Sequence, residues 1–229
     1  MLICGRDPAV LAAAAAAIST ETGGSVSHIG VDLSNRRTIG PFVEDVVREV
    51  GQVDIFVGNA GVERQTFIDA TTGEDLDAIF ETNVTANILL STMLSAGMKS
   101  RGWGRIIYLS SIAASRGSTD GHGVYSASKG ALEAYMLAAA VELGAAGVTV
   151  NCLAPGAFLT DLAQSRLDLY GPVAGKAAYD AFAQMAAVNR WGRPEELEGP
   201  ILLLASDAGS YVTGQVLHVD GGQSIRMRP

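Results

Sequence analysis

The chain has few cysteines and few basic side chains for its 229 residues. Its two cysteines, Cys4 and Cys152, lie in apolar, strand-like stretches, so we expect buried, reduced thiols of a cytoplasmic protein and no disulfide scaffold. The 16 Lys and Arg residues are outnumbered by 24 Asp and Glu residues, which gives a net charge of −8. A nucleic-acid partner is therefore not expected, because phosphate backbones are bound by clustered Lys and Arg.

Long apolar runs and clustered metal ligands are also lacking. No segment approaches the about 20 uncharged apolar residues that span a membrane. The stretch "AVLAAAAAAI" directly follows Asp7 and Pro8, which predicts a helix packed on a sheet and argues against a signal peptide. His28, His122 and His218 have no ligand-like spacing, so we expect no metal site. His122 precedes Tyr125 in a loop, where a solvated side chain and a contact with substrate are both open.

Strand-like and helix-like segments alternate along the whole chain. The predicted strands are "MLIC", "SVSHIGVDL", "VDIFVGNAG", "GRIIYLSSIA", "GVTVNCLAPG" and "GQVLHVDGG". Helical patterns fill the intervals, including one continuous long helix over 76–98. Short apolar strands that alternate with helices indicate a parallel sheet covered on both faces. Since repeats and linkers are absent, we expect a single α/β domain over residues 1–229.

Polar residues follow several of the predicted strands. In open parallel sheets, ligands bind beyond the carboxyl ends of the strands, near the point where strand order reverses. This rule selects Asp32, the turn Asn59–Gly61, the pair Ser110 and Ser111, and the pair Pro155 and Gly156.

Tyr125 and Lys129 in "YSASK" carry the clearest chemical pattern. They are four residues apart on a predicted helix and share one face, where an ammonium group favours the phenolate and lowers the tyrosine pKa. Ser111, at the end of the preceding strand, is placed to bond the same substrate oxygen that Tyr125 protonates. Asn83 is a polar residue in an apolar helical stretch, for which a satisfied helix interior is the alternative interpretation.

These residues, together with "NAG", "SSIA", "APGAFLTD" and "RWGRPEEL", resemble the short-chain dehydrogenase/reductase family, in particular its 3-ketoacyl-carrier-protein reductases. The resemblance runs from Met1 almost to the C-terminus. It implies a Rossmann-like, doubly wound parallel sheet in three layers. It also implies an oxidoreductase that transfers hydride between NAD(P)H and a carbonyl or alcohol.

The resemblance further implies catalytic roles for four residues. Tyr125 would be the general acid/base, and Ser111 would orient and polarise the substrate carbonyl. Lys129 would lower the pKa of Tyr125 and hold the nicotinamide ribose. Asn83 would support a water in a proton relay.

Other matches concern the cofactor. Asp32 and Leu33 match the adenine-binding position, and the turn Asn59, Ala60 and Gly61 matches the turn beside the adenosine ribose. The nicotinamide side is matched by Pro155, Gly156 and Thr160. Arg6 stands where a 2′-phosphate would be met, which favours NADP(H) over NAD(H).

Three features depart from the family pattern. Gly58 stands where the family commonly has a further Asn, and the loop "STDGHG" makes the spacing of Ser111 and Tyr125 one residue longer than is commonest. The chain also lacks the family's first strand, its TGxxxGxG turn and the helix that receives the cofactor pyrophosphate. That strand would lie between the equivalents of the second and fourth, so two sheet edges would be left unpaired.

Several explanations of this beginning stay open. Met1 is an internal methionine of a longer, ordinary reductase, or the chain has given up the cofactor and uses Ser111, Tyr125 and Lys129 in an isomerisation or cyclisation. A third is a non-catalytic subunit that pairs with an intact homologue and borrows its strand.

The resemblance also bears on substrate and assembly. Residues 161–190 match the family's variable substrate lid, and their apolar side chains favour a hydrophobic substrate, although a packing helix would have the same composition. The helices that carry Asn83 and Tyr125, with the last strand, match the surfaces through which the family forms tetramers. We therefore expect a homo-oligomer, a tetramer or a dimer.

Overall fold

Parallel strands and helices alternate along the chain, as the sequence predicts. The computed structural model describes residues 1–116 and 120–226, apart from the side chains at positions 162 and 166. The strands are β1 (Leu2–Gly5), β2 (Ser27–Gly30), β3 (Ile55–Gly58), β4 (Gly104–Leu109), β5 (Val148–Pro155) and β6 (Val216–Val219). The α-helices are α1 (Pro8–Thr22), α2 (Ile39–Val50), α3 (Gly73–Phe80), α4 (Ala86–Arg101), α5 (Gly123–Gly144), α6 (Asp161–Leu169), α7 (Gly171–Met185) and α8 (Glu198–Ala205). Within the described ranges, no helix combines the length and the apolar character needed to cross a membrane.

The long helix predicted over 76–98 is interrupted. α3 ends at Phe80, a π-helical turn spans Glu81–Thr85, and α4 begins at Ala86. Such turns occur mostly inside α-helices and are frequent at functional sites. Asn83 lies in this turn and is fully buried.

The six strands form two parallel sheets. β1 pairs with β2, and the second sheet has the order β3-β4-β5-β6. No ladder joins β1 to β3 within residues 1–116 and 120–226, so each of these strands has one unpaired edge. The side chains of Ile55 and Val57 on β3 are 43% and 40% exposed. The expected absence of the family's first strand stays a prediction.

Helices cover both faces of the four-stranded sheet. Ile106 and Tyr108 on β4 belong to a core cluster with residues of α4 and α5. The alternate residues Ile107 and Leu109 pack with Leu204 of α8 on the opposite face. The predicted layered α/β architecture is therefore confirmed for this sheet.

A third core cluster connects the two sheets. Its buried centre includes Phe42 of α2 and Leu90 of α4, and both Leu2 of β1 and Phe56 of β3 pack against it. The helices α2 and α4 therefore hold the smaller sheet beside the larger one.

The two cysteines have different environments. Cys152 on β5 is fully buried, as predicted, whereas Cys4 on β1 is exposed, so the prediction of a second buried thiol is wrong. β1 is paired only with β2, and its other edge carries no neighbouring strand. Both thiols are free.

Candidate active site

The carboxyl ends of the parallel strands bring the predicted site residues to one edge of the fold. Arg6 follows β1, Asn59 follows β3, Ser110 and Ser111 follow β4, and Gly156 follows β5. Since every pair of strands is parallel, these positions share one side of their sheets. The strand-end rule applied to the sequence therefore selects one side of the four-stranded sheet and one side of the smaller sheet.

Tyr125 lies in the first turn of α5 and is half-buried. Its phenol is near the hydroxyl of Ser111, which lowers the pKa of Tyr125 and follows β4 in extended conformation. The Ser111 hydroxyl also accepts from the amide of Ala113 at 3.2 Å, so the backbone fixes its position. The structure thus brings together the two hydroxyl groups predicted to face one substrate oxygen.

Lys129 lies one helical turn beyond Tyr125 and is only 5% exposed. Its Nζ donates to the carbonyl oxygen of Leu109 at 2.6 Å and lies 5.7 Å from the centroid of the Tyr125 ring. Burial lowers the pKa of Lys129 to about 8. The ammonium group is therefore close to the phenol, but its hydrogen bond is made to the end of β4.

The expectation that Lys129 lowers the pKa of Tyr125 is not met in this structure. Burial raises the pKa of Tyr125, the hydrogen bond with Ser111 lowers it, and the carboxylate of Glu63 raises it further. Loss of water around the phenol outweighs the hydrogen bond. The groups that shift the pKa of Tyr125 do not include Lys129, whose ammonium group donates to the Leu109 carbonyl.

Asn83 connects the loop after β3 to the helix of Tyr125. Its Oδ1 accepts from the amide of Val62 at 2.7 Å, and its Nδ2 donates to the Val62 carbonyl at 2.9 Å. Nδ2 also donates to Oγ of Ser128 at 3.0 Å, which in turn donates to the carbonyl of Tyr125. The side chain is satisfied by groups outside its own helix. Its role beside a relay water stays a prediction.

Gly61 permits a close approach in the centre of this network. A Cβ at this position would lie 3.4 Å from both Oδ1 of Asn83 and Nζ of Lys129. The loop after β3 therefore passes within ordinary contact distance of the buried lysine. A ligand bound against this loop would lie near that ammonium group.

Asn87 is a site residue that the sequence analysis missed. It is 1% exposed, and its Nδ2 donates to the carbonyls of Ala60 (3.3 Å) and Asn83 (2.9 Å). A Cβ on Gly58 would lie only 2.4 Å from Oδ1 of Asn87. Asn87 thus occupies space that a side chain at position 58 would need. The sequence feature that could have identified Asn87 is its place as a second polar residue, four positions after Asn83, in the same apolar stretch.

The residues predicted to hold adenosine have mixed environments. Asp32 is exposed, and its Oδ1 accepts from the amide and the hydroxyl of Ser34, which lowers the pKa of this carboxyl. Arg6 is exposed and lowers the same pKa through its charge. The Leu33 side chain is buried in the core shared with α2, so only its main chain remains for a ligand.

The predicted nicotinamide segment is anchored to the C-terminal part of the chain. The amide of Gly156 donates to the carbonyl of Val219, and a Cβ here would lie 2.7 Å from Cβ of Asp220. Thr160 caps α6, because its hydroxyl accepts from the amide of Ala163. Pro155 ends β5. These contacts define the segment's shape without testing its predicted ligand.

The lid predicted over 161–190 consists of α6 and α7. Tyr179 stacks on Trp191, with ring centroids 5.7 Å apart, and Phe182 lies 5.3 Å from the same ring. Leu167 and Ala183 are buried in this cluster. Much of the lid's apolar surface is therefore used in its own packing.

One predicted departure, the longer loop before Tyr125, lies partly outside the described residues. The loop with the additional residue includes positions 117–119, which lie outside the described residues. Across the described ranges, no group of three or more His, Cys, Asp and Glu side chains is arranged for a metal ion. The simplest interpretation of His122 was a solvated loop side chain. Instead, its side chain is only 17% exposed and contacts Glu63.

The N-terminus of α1 is unsuitable for a phosphate group. Oδ1 of Asp7 accepts from the amides of Ala9 and Val10 at 2.9 and 3.2 Å. A carboxylate therefore occupies the position where an anion would meet the helix dipole.

Comparison with known proteins places this arrangement in a family. A family model described as enoyl-(acyl carrier protein) reductase matches residues 1–224. The short-chain reductase protein NovJ of Streptomyces niveus is 34% identical over 211 residues, which are 92% of this chain and 79% of that protein. The 3-oxoacyl-acyl-carrier-protein reductase FabG of Escherichia coli is 33% identical over 208 residues, or 91% of this chain and 82% of that protein.

Solved structures agree with the sequence relatives. L-sorbose reductase from Gluconobacter frateurii, complexed with NADPH and L-sorbose, has a TM-score of 0.93 at 28% identity, covering 99% of this chain and 87% of that chain. Gluconate 5-dehydrogenase from Burkholderia cenocepacia, in complex with NADP and tartrate, has a TM-score of 0.88 at 28% identity. The match covers 99% of this chain and 86% of that chain.

The matches extend over nearly the whole chain and concern reductases and dehydrogenases. They give no support to a missing first strand or to chemistry without a cofactor, and both stay predictions. The protein is an oxidoreductase of carbonyl or alcohol substrates. It belongs to the short-chain dehydrogenase/reductase family, among members that resemble the 3-oxoacyl-acyl-carrier-protein reductases.

Proposed function

We propose that the protein interconverts a carbonyl and a secondary alcohol with NADP(H), and that Tyr125 donates and accepts the proton. The observation that carries this proposal is that Tyr125 is close enough to Ser111 for its hydroxyl to act on the phenol, while the buried ammonium group of Lys129 lies 5.7 Å from the centroid of the Tyr125 ring. A phenol, a second hydroxyl and a cation at one strand end are the groups needed to protonate a carbonyl oxygen.

The roles follow from the geometry of the three groups. In reduction, Tyr125 gives its phenolic proton to the substrate oxygen, while the Ser111 hydroxyl donates a hydrogen bond to the same atom. The phenolate that forms is stabilised by the charge of Lys129. In oxidation the phenolate takes the proton back. The bound cofactor supplies or accepts the hydride at the neighbouring carbon.

The phenol of Tyr125 is in its protonated form at neutral pH. Burial and Glu63 hold the pKa of Tyr125 above its ordinary value, so the phenol keeps its proton at neutral pH. A protonated phenol is the form that donates. Oxidation of an alcohol needs the phenolate and is therefore expected to require more alkaline solution than reduction.

Cofactor binding is assigned to residues around the strand ends. Lys129 beneath Gly61 would hold the nicotinamide ribose, and the turn Asn59–Gly61 would pass beside the adenosine ribose. Arg6 would meet a 2′-phosphate, since the neighbouring Asp32 is engaged by Ser34. The NADPH and NADP bound by the sorbose reductase and the gluconate dehydrogenase support this preference.

The substrate class is a small carbonyl or alcohol compound. The relatives named for gluconate, L-sorbose and 3-oxoacyl-acyl-carrier-protein are similar to the chain to comparable degrees. The lid's aromatic side chains pack on Trp191, so they give less support to a hydrophobic substrate than their composition suggested. That preference stays a prediction.

Replacement of Tyr125 with Phe tests the proposal. We expect turnover to fall by about 100-fold or more, because general acid catalysis contributes about that much. Activity is measured as NADPH consumption with 5-ketogluconate, L-sorbose and a 3-oxoacyl thioester. Tyr135→Phe is the matched control, since Tyr135 lies on the same helix and its hydroxyl contacts Thr92 away from the site.

Fluorescence titration with NADPH and NADH separates chemistry from binding. The Tyr125→Phe variant should still bind NADPH, and more tightly than NADH. Unchanged turnover of this variant would remove Tyr125 from the reaction. Turnover by a protein that binds neither nucleotide would instead favour the isomerase or cyclase.

A further inference from the structure

A carboxylate of α5 binds the end of β4, and the proposed reaction does not use it. Glu133 lies one helical turn beyond Lys129, and its Oε1 accepts a hydrogen bond from the Ser110 hydroxyl at 2.6 Å. Ser110 is only 4% exposed, and Glu133 is partly buried. Short hydrogen bonds to an ionised acceptor are stronger than those between neutral groups. The bond therefore ties the helix that carries Tyr125 to the strand that precedes Ser111.

Two successive residues of this strand end are bound by two successive turns of α5. Nζ of Lys129 donates to the carbonyl of Leu109 at 2.6 Å, and Glu133, four residues later, accepts from the hydroxyl of Ser110. Residues four apart lie on the same side of a helix. The helix thus contacts the main chain of one strand residue and the side chain of the next, which fixes the register between α5 and the end of β4.

Ser110 is also held by the sheet. Its amide donates to the carbonyl of Leu153 on β5 at 2.8 Å, so β5 fixes its main chain while α5 fixes its side chain. The next residue is Ser111, whose hydroxyl accepts from the amide of Ala113 and lies near the phenol of Tyr125. The position of Ser111 relative to that phenol therefore depends on how Ser110 is held between the sheet and the helix.

The Glu133 carboxylate lies on the sheet side of α5. Its charge acts on Cys152, the fully buried thiol of β5, and so does the opposite charge of Lys129. Burial raises the pKa of Cys152 to about 12, so this thiol is neutral. A carboxylate turned toward a sheet loses contact with water, and that loss is costly unless a hydrogen bond offsets it. The Ser110 hydroxyl supplies such a bond.

We propose that Glu133 is a positioning residue, which holds the end of β4 against α5 and so aligns the Ser111 hydroxyl with the Tyr125 phenol. This inference rests on the proposed catalytic roles of Tyr125 and Ser111. Glu133 touches neither substrate nor cofactor in this assignment. The hydrogen bond of Lys129 to the strand end does not involve Glu133, so loss of the carboxylate should disturb the alignment more than the fold.

Removal of either partner of the hydrogen bond tests the inference. Glu133→Leu removes the acceptor and keeps a side chain of similar size, whereas Ser110→Ala removes only the donor hydroxyl. We expect each change to lower kcat by about 10-fold, because misplacing reacting groups by 1 Å can cost about 100-fold and a smaller shift is expected here. KM and the Kd for NADPH from fluorescence titration should stay unchanged, since the binding contacts are retained.

Three further variants distinguish alignment from a general loss of stability. Ser110→Ala combined with Glu133→Leu should lose no more activity than either single change, because both remove the same bond. Glu133→Gln retains Oε1 as an acceptor and should keep most of kcat. Glu142→Leu is the matched control, since it makes the same substitution at an exposed position of α5, and it should leave kcat unchanged.

A titration of Tyr125 in Ser110→Ala gives a second measurement, which needs neither a substrate nor a folded Glu133→Leu variant. The Ser111 hydroxyl lowers the pKa of Tyr125, so its displacement should raise that pKa, while Ser110→Ala changes no charge. The pKa is read from tyrosinate absorbance as the difference between each protein and its Tyr125→Phe counterpart.

The outcomes separate this inference from the proposed function. Unchanged kcat in Ser110→Ala or, where no substrate is turned over, an unchanged Tyr125 titration would overturn the role of Glu133, even if Tyr125→Phe is inactive. Additive losses in the double variant, or a loss in Glu133→Gln as large as that in Glu133→Leu, would overturn it as well. Full activity of Tyr125→Phe would overturn the proposed function and, with it, the inference.

Discussion

At the scale of single residues, Gly58 and Asn87 compete for one volume. The two are close enough that a Cβ on Gly58 would overlap Oδ1 of Asn87, whose amide binds the Ala60 carbonyl. The family's additional Asn is thus absent from position 58, while a different Asn fills the adjacent space from α4. The loop after β3 is consequently supported from the helix side.

Gly58→Ala is expected to destabilise the protein by about 1 to 3 kcal/mol, because Asn87 must leave its position in a packed interior. The free energy of unfolding is measured in denaturant. In the background of Asn87→Ala the same change should cost much less, since the space is then available. Equal costs in both backgrounds would show that the two residues do not share this volume.

Several single residues could be assigned from the sequence because their spacing decides their placement. Tyr125 and Lys129 share a helix face by their four-residue separation, and Ser111 follows a strand. The direction of the Tyr125 pKa could not be predicted, because it depends on burial and on Glu63, a residue distant in sequence. Contacts between loops that are distant in sequence leave no local sequence pattern from which they could be predicted.

At the scale of elements, the lid depends on one aromatic side chain. Trp191 is 8% exposed, stacks with Tyr179 and Phe182, and donates through Nε1 to the Tyr179 carbonyl at 3.0 Å. α7 is therefore attached to the rest of the fold in part through this ring, and Arg226 also donates to the carbonyl of Gln184 at 2.6 Å.

Trp191→Ala should lower the free energy of unfolding by about 3 kcal/mol, the cost typical of removing a buried aromatic side chain. Denaturant unfolding measures the loss, and limited proteolysis should show faster cleavage within 161–190. Trp191→Phe keeps most of the ring contacts and should lose clearly less. Indistinguishable stability of Trp191→Ala and the unmodified protein would contradict the role given to this side chain.

Element types were easier to predict than element boundaries. Alternating apolar strands and helices were recognisable because a parallel sheet buried on two faces leaves that pattern. The break at Glu81–Thr85 was not, since residues on either side keep the same apolar periodicity through the π turn. The apolar residues of 161–190 were correctly placed in helices, but several of them pack on Trp191 and on one another.

At the scale of the whole molecule, one surface of α4 and α5 is apolar and open. Leu137 and Val141 on α5 are 54% and 83% exposed, and Met93 on α4 is 42% exposed. These helices carry the surface on which the sequence predicts self-association. Burying such side chains between copies would stabilise an assembly.

Val141→Lys should therefore shift the protein toward smaller species in sedimentation velocity, because a lysine ammonium would be placed in an apolar interface. Val10→Lys is the matched control, since Val10 is 64% exposed on α1 and lies on a different surface. A predominantly monomeric unmodified protein, or equal dissociation by both variants, would speak against this surface.

The separation of the strands into two sheets also affects local opening of the fold. Since no ladder joins β1 to β3 in the described ranges, the unit of β1, α1 and β2 can detach by giving up its side-chain contacts with α2 and its neighbours. The hydrogen bonds of β4 and β5 stay intact during such an opening. Amide protons of the small sheet would then exchange with solvent long before those of the central strands, and the adenosine end of the site would be the first part to loosen.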